Sequence, residues 1–167
     1  FVPGFHIAEL GFGTGLNALV ALDAWRASNV QGPLRFTSFE AFPLHTDITC
    51  AAFEQFPQTA STRDGFLAYL QGDRSALPDL ELEIVEGDAR ETLPTWRGHA
   101  DAWFLDGLSP AKNPELWEPD LLAAVAKATR PQGTVASYTA AGFVRRGLEA
   151  AGFAVTRAPG FGRKRHM

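Results

Sequence analysis

The chain has 167 residues, 46% of them hydrophobic and 20% charged, a balance that supports one domain with one core and excludes wholesale disorder. No apolar run approaches the roughly 18 residues of a membrane-spanning helix, and no charged segment leads into an apolar one as in a signal peptide. The formal net charge of −4 conceals an asymmetry: six of the 15 Lys and Arg residues lie from Arg145 onward against Glu149 alone, so that segment carries +5 and the remainder −9. A basic corner on an acidic body can hold a polyanion by one face; the plainer reading is a solubilising charge run. The one cysteine, Cys50, can make neither an internal disulfide nor a zinc site, and is expected as a small buried residue of a protein in the reducing cytoplasm. The chain starts at Phe1, so a native N-terminal segment is expected to precede it.

In chain order, Phe5 to Leu10 is an apolar run predicted as a strand that ends around Glu9. The glycine-rich Gly11 to Gly15 follows as a tight turn, and Leu16, Leu19, Val20, Leu22 and Trp25 carry helical spacing. Leu34 to Phe39 is a second strand, ending at Glu40. Between Pro43 and Leu77, Phe53, Phe56, Phe66, Leu67 and Leu70 suit one side of two helices, broken by Pro57 and by Asp64-Gly65. Leu80 to Val85 alternates as a strand that runs into Asp88, and Ala89 to Leu93 is a short helical turn stopped by Pro94. Ala100 to Leu105 is a buried-type strand ending at Asp106, followed by a proline-rich loop and a helix from Glu115 to Thr129. Pro131-Gln132-Gly133 is a turn, Thr134 to Thr139 a strand and Ala140 to Ala151 a helix stopped by Gly152. Phe153 to Val155 begins another strand, and Arg163 to Met167 a last one cut short. Alternating strands and helices at this spacing predict a single α/β domain over residues 1–167, a mostly parallel sheet with helices on both faces.

The informative pattern is what stands at the strand ends. Glu9, Glu40, Asp88 and Asp106 each close a strand, and in an open parallel sheet these ends share the edge where ligands bind. The glycines at 11, 13 and 15 do not make the dinucleotide fingerprint: Leu16 stands where its third glycine belongs, which argues against a nicotinamide dehydrogenase. There is no phosphate-binding P-loop either. The spacing suits a cofactor that lies close over the turn and carries no pyrophosphate. Glu40 can accept both hydroxyls of a ribose, and Asp88 an adenine amino group. The four histidines, His6, His45, His99 and His166, have no metal-ligand spacing, so no metal is expected.

This arrangement resembles that of class I S-adenosylmethionine-dependent methyltransferases, a resemblance that implies a Rossmann-like, seven-stranded-type sheet. The strings ELGFGTGLN (Glu9 to Asn17), GDARETLP (Gly87 to Pro94), DAWFLDGLSPAKNPELW (Asp101 to Trp117), YTAAGFVRRGLEAAGF (Tyr138 to Phe153) and PGFGRKRHM (Pro159 to Met167) resemble the methyltransferase domain of the MnmC family. Leu108 departs from the Phe expected there, and Thr46 to Gly72 matches loosely. The resemblance implies transfer of a methyl group from S-adenosylmethionine to the amine of 5-aminomethyl-(2-thio)uridine at wobble position 34 of tRNA. It implies cofactor contacts from Glu9, Gly11, Phe12, Gly13, Gly15, Asn17, Glu40, Asp88, Ala89 and Asp106. Against this pattern the N-terminal segment and the last strand are expected to be truncated here. An FAD-dependent oxidase is an expected partner, fused or separate, and its cofactor fingerprint is not in this chain.

An alkyl ammonium has a pKa near that of Lys, roughly 10.4, so the substrate amine must lose a proton before it can attack. Asp106 is expected to orient it and take that proton, with positioning the larger part of its effect. Ser109, Pro110, Lys112 and Asn113 form one expected wall of the substrate slot, and Arg145, Arg146, Arg163, Lys164 and Arg165 expected contacts to the tRNA anticodon loop. Trp103, Phe104 and Trp117 could stack a splayed base or belong to the core, and Phe12 and Phe42 could wall the cofactor. The alternatives are a methyltransferase acting on a small amine and a non-catalytic RNA-binding scaffold.

Overall fold

β1 (His6–Leu10) is buried at all five positions, as a strand must be when it has neighbours on both edges and helices on both faces. The computed structural model describes residues 1–107 and 109–159. Around β1, the strands β2 (Leu34–Glu40), β3 (Leu80–Glu86), β4 (Ala100–Leu105) and β5 (Thr129–Ser137) form a parallel sheet in the order β3-β2-β1-β4-β5. The chain first builds outward from β1 through β2 to β3, then crosses back to place β4 against the other edge of β1. That reversal opens a crevice beyond the carboxyl ends of β1 and β4.

Helices α1 (Leu16–Ala27), α2 (Thr46–Phe53) and α3 (Ala60–Leu70) cover one face; α4 (Ala89–Thr95), α5 (Pro119–Lys127) and α6 (Gly142–Ala150) cover the other. The two-residue period of β1 divides its side chains between them. Ile7 joins Leu19, Leu22, Trp25, Phe36 and Phe66 in one core. Ala8 and Leu10 join Trp103, Leu122 and Val125 in the other. No helix among the described residues is long and apolar enough to cross a membrane.

Several boundaries differ from expectation, each for a local reason. α3 runs through Asp64-Gly65, because a glycine inside the helix lets Leu77 pack close: a Cβ at 65 would stand 3.2 Å from Leu77 Cδ2. The helix expected over Glu115 to Thr129 is a 3-10 turn (Pro114–Trp117) followed by α5, since Pro119 holds Glu118 in an extended conformation. α4 extends through Pro94 to Thr95. Phe153 to Val155 forms no strand; the Phe153 amide closes α6 on Leu148 O at 3.0 Å, and the side chains of Phe153 and Val155 pack on the second core. The strand expected from Arg163 lies outside the described residues. Cys50 is exposed on α2 rather than buried.

The expected turn at Pro131 to Gly133 lies inside β5 as an irregularity. Ala100 pairs with Thr129 but Ala102 with Thr134, and Gln132 takes a positive φ of 68°. A Cβ on Gly133 would meet backbone, 2.8 Å from Arg130 O and 3.1 Å from Asp101 O. Gly133→Ala is therefore expected to destabilise the protein by about 1–3 kcal/mol. Thermal unfolding would register this as a loss of several degrees; an unchanged melting temperature would contradict the packing described.

Candidate active site

At the crevice, β1 gives way to Gly11 to Gly15 and then to α1. The Gly11 amide donates to Phe39 O at 2.9 Å, which extends the β1–β2 pairing one residue past the strand. Gly11 also admits the β4 loop closely: a Cβ there would stand 3.3 Å from Gly107 Cα. Gly15 has a different reason for being glycine. A Cβ on it would be 2.6 Å from Phe12 Cζ and 3.0 Å from Phe66 Cε1, so it makes room for core aromatics rather than for a ligand.

The acidic residues are held by these same elements. Glu40 Oε2 accepts from the Gly13 amide at 3.0 Å and Oε1 from the Phe42 amide at 2.9 Å, which locks the end of β2 against the glycine turn. Asp88 caps α4 by accepting from the Arg90 amide at 2.9 Å, and the Arg90 side chain bonded to it holds its carboxyl below the usual carboxylate range. Asp106 is exposed just beyond β4. Behind it, Tyr138 Oη donates to Gly107 O at 2.9 Å, and burial together with the Asp106 charge raises the tyrosine hydroxyl.

Glu9 differs from the other three. It is the next-to-last residue of β1, fully buried beneath the glycine turn. Its Oε2 accepts from Ser38 Oγ at 2.9 Å and its Oε1 from Asn17 Nδ2 at 2.7 Å; Asn17 Nδ2 also donates to Asp106 Oδ2 at 2.7 Å. Burial, reinforced by the Asp106 and Glu40 charges, raises the Glu9 carboxyl from 4.5 to about 8, although the bonds from Asn17 and Ser38 pull the other way. At neutral pH Glu9 is thus a neutral acid.

A cleft of about 910 Å³ joins these groups, within the usual range for a small-molecule site. Of the expected residues, Gly11, Phe12, Gly13, Asn17, Glu40, Asp88, Ala89, Asp106 and Asn113 line it. Glu9 and Gly15 stand behind its wall. Ser109, Pro110 and Lys112 are not part of the lining; Ser109 O accepts from the amides of Lys112 and Asn113 at 2.7 and 3.0 Å, which folds that loop into a turn. Arg145 pairs with Glu149 at 3.2 Å on α6 and Arg146 is exposed, and neither lines the cleft. Arg163, Lys164 and Arg165 lie outside the described residues. Trp103 and Trp117 are buried in the second core and Phe104 packs against the first, so these aromatics are core and not stacking platforms. Phe42, by contrast, is 84% exposed at the cleft rim.

Ser38, Arg90, Tyr138 and Leu116 belong to the site or its support without a sequence signal. Ser38, Tyr138 and Leu116 act across elements, where no local spacing reports them, whereas Arg90 pairs with Asp88 two residues before it. A second cavity of about 400 Å³ lies over the first half of β2 and β3. Its cations Arg35 and Arg74 are matched by Glu81 and Glu83, and His6 there is lowered to about 4 by burial and by Arg35, hence neutral. No metal-binding cluster occurs among the described residues.

Native Glu9 keeps its proton up to about pH 8, whereas the unfolded chain loses it near 4.5, so the folded state binds more protons between these values. The Glu9 contribution to stability is therefore expected to fall as pH rises from about 5 to 8; His6, with its folded value lowered, opposes it below about 6.5, so the net fall is expected between about 6.5 and 8, and Glu9→Gln to flatten that slope. Melting temperatures of both proteins across this window decide it; equal slopes would show that Glu9 is not the titrating group.

Residues 55–167 match the family described as S-adenosyl-L-methionine-dependent methyltransferase. The tRNA 5-methylaminomethyl-2-thiouridine biosynthesis bifunctional protein MnmC of Caulobacter vibrioides is 43% identical over 96% of this chain and 29% of its own length. The protein of that name from Caulobacter sp. strain K31 is equally similar, 43% over 96% of this chain and 29% of its own. The chain thus spans under a third of these relatives. Among solved structures, MnmC2 from Aquifex aeolicus superposes with a TM-score of 0.73 at 29% identity, over 99% of this chain and 52% of that one. TrmN from Thermus thermophilus shares the fold, with a TM-score of 0.54 at 18% identity over 88% of this chain and 37% of its own. With the family match over most of its length, and a cleft at the point where the sheet order reverses, the chain belongs to the S-adenosyl-L-methionine-dependent methyltransferases.

Proposed function

We propose that residues 1–167 form one domain that methylates the amine of 5-aminomethyl-(2-thio)uridine at the wobble position of tRNA, in the cytoplasm. The observation that carries this reading is the cleft between the β1 glycine turn and Asp106, in a chain 43% identical to MnmC over 96% of its length. The bifunctional relatives suggest that an FAD-dependent oxidase, fused or separate, prepares the substrate.

The residues fit the cofactor on their own chemistry. Glu40 is anchored by two backbone amides, and each of its oxygens retains a lone pair for a ribose hydroxyl. Asp88 and Ala89 would border the adenine, with exposed Phe42 at the rim. Gly11 and Gly13 leave the turn without side chains, so a ligand can lie close over the backbone. The carboxylates of Glu40, Asp88 and Asp106 give the mouth a negative potential that favours a cationic ligand. S-adenosylmethionine, when bound, supplies an electrophilic methyl carbon on a sulfonium centre.

Asp106 then acts on the substrate. Asn17 occupies its Oδ2, and we assign the substrate amine to Oδ1. There the carboxylate orients the nitrogen and accepts the proton that the amine must give up. Asn113 lines the cleft and Ser109, Pro110 and Lys112 would reach the substrate only from the turn beside it, and Arg145, Arg146 and the basic residues from Arg163 would hold the RNA backbone by charge.

Asp106→Asn is expected to lower methyl transfer by roughly 10²- to 10⁴-fold, as the loss of a positioned proton acceptor does. Mass spectrometry of nucleosides digested from tRNA treated with the full-length protein measures it, and a variant as fast as wild type would remove Asp106 from the reaction. Glu40→Ala is expected to weaken S-adenosylmethionine binding by roughly 10- to 100-fold, from loss of charged hydrogen bonds. Titration calorimetry reads this directly; unchanged affinity would place the ribose elsewhere.

A further inference from the structure

Asp106 stands exposed at the cleft, where a carboxylate side chain on a loop has rotamers to lose. Its backbone is held from behind by Tyr138 Oη on Gly107 O and by the close approach of Gly11 to Gly107. Neither contact fixes the carboxylate itself. Asn17 does: it is the second residue of α1, and one carboxamide nitrogen donates to Asp106 Oδ2 and to Glu9 Oε1, both at 2.7 Å. Two N–H groups on one planar amide meet two acceptors, so the amide is fixed at both hydrogens.

The far acceptor is well anchored. Glu9 is fully buried, stands in register with Ser38 on β2, and accepts from the Ser38 hydroxyl at 2.9 Å. Its protonated form retains a carbonyl oxygen that accepts from Asn17. We propose that Asn17 is a positioning residue for methyl transfer, holding the Asp106 carboxylate at the cleft by spanning from it to buried Glu9; this rests on the reading of Asp106 given above. A Lys or Arg in its place would neutralise the mouth, an Asp would set a third carboxyl between two others, and a Leu would bond neither. The role differs from that of a cofactor contact. Positioning moves the rate of the chemical step, whereas a cofactor contact moves affinity.

The test uses the full-length protein with Asn17→Leu and Asn17→Ser, the second keeping one donor beside Glu9 while unable to span both carboxyls. For both, kcat on tRNA is expected to fall roughly 10- to 100-fold while KM for S-adenosylmethionine and Kd for S-adenosylhomocysteine stay within about threefold. Asn17→Leu added to Asp106→Asn is expected to cost less than about threefold beyond Asp106→Asn alone, because the two act as a unit. An unchanged kcat, a loss explained wholly by affinity, or losses that multiply in the double variant would overturn the proposal. A wild-type protein that binds S-adenosylmethionine yet forms no methylated nucleoside overturns the substrate reading instead. Thermal unfolding of the same variants then decides the bridge: losses at 17 and 106 that are not additive support it, and additive losses overturn it.

Discussion

A carboxyl group buried between three parallel strands is costly unless each of its oxygens is bonded, and Glu9 sets the terms for everything around it. The register of the sheet supplies one partner, since Glu9 lies opposite Ser38. The same register places Glu9 opposite Phe104 on β4, so Asp106, two residues on, falls on the same face and just above it. The glycine turn then starts α1 where Asn17 reaches both acids. Strand pairing, turn geometry and helix start thus converge on one hydrogen-bonded chain, Ser38–Glu9–Asn17–Asp106, which ends at the cleft. Removing any of these elements would leave a buried acid unsatisfied as well as a site incomplete.

The charges at the mouth follow a different logic from the charge beneath it. Asp88 is stabilised as an anion by Arg90 and Glu40 is anchored by two backbone amides, while Glu9 is kept neutral by burial and by the neighbouring carboxylates. The site therefore presents negative charge to a ligand without a repulsive fourth anion under it. Such a mouth suits a cofactor that carries a positive sulfonium and a ribose and has no pyrophosphate. The tightly set third glycine agrees with this, since Gly15 serves the packing of Phe12 and Phe66 rather than a phosphate.

Much of this was legible in the sequence because it is local. Short apolar runs with Glu9 near the end of one, Glu40 at the end of another, and Asp88 and Asp106 just past two more mark strands whose ends share one edge, and alternation with helices implies a parallel sheet. What was not legible depends on distant contacts. Gly65 reads as a breaker until Leu77 is seen against it, and Cys50 reads as core until α2 turns it to solvent. Trp103 and Trp117 have the composition of a stacking platform, and only their burial makes them core. Only the family resemblance marks Asn17, and as a cofactor residue; that it joins carboxyls at the ends of two different strands has no sequence spacing to announce it. The same holds for Tyr138 and Ser38, whose partners Gly107 and Glu9 lie on other strands or loops.

The proposed reaction is methylation, in this cleft, of an amine presented on tRNA. The most direct measurement supplies the full-length protein and S-adenosylmethionine with tRNA bearing 5-aminomethyluridine at the wobble position, and in parallel with the free nucleoside, and follows each by mass spectrometry. The account predicts the gain of one methyl group on the tRNA nucleoside, far faster than on the free one. Binding of S-adenosylmethionine with no methyl gained on the tRNA, or with the free nucleoside methylated as fast, would contradict it.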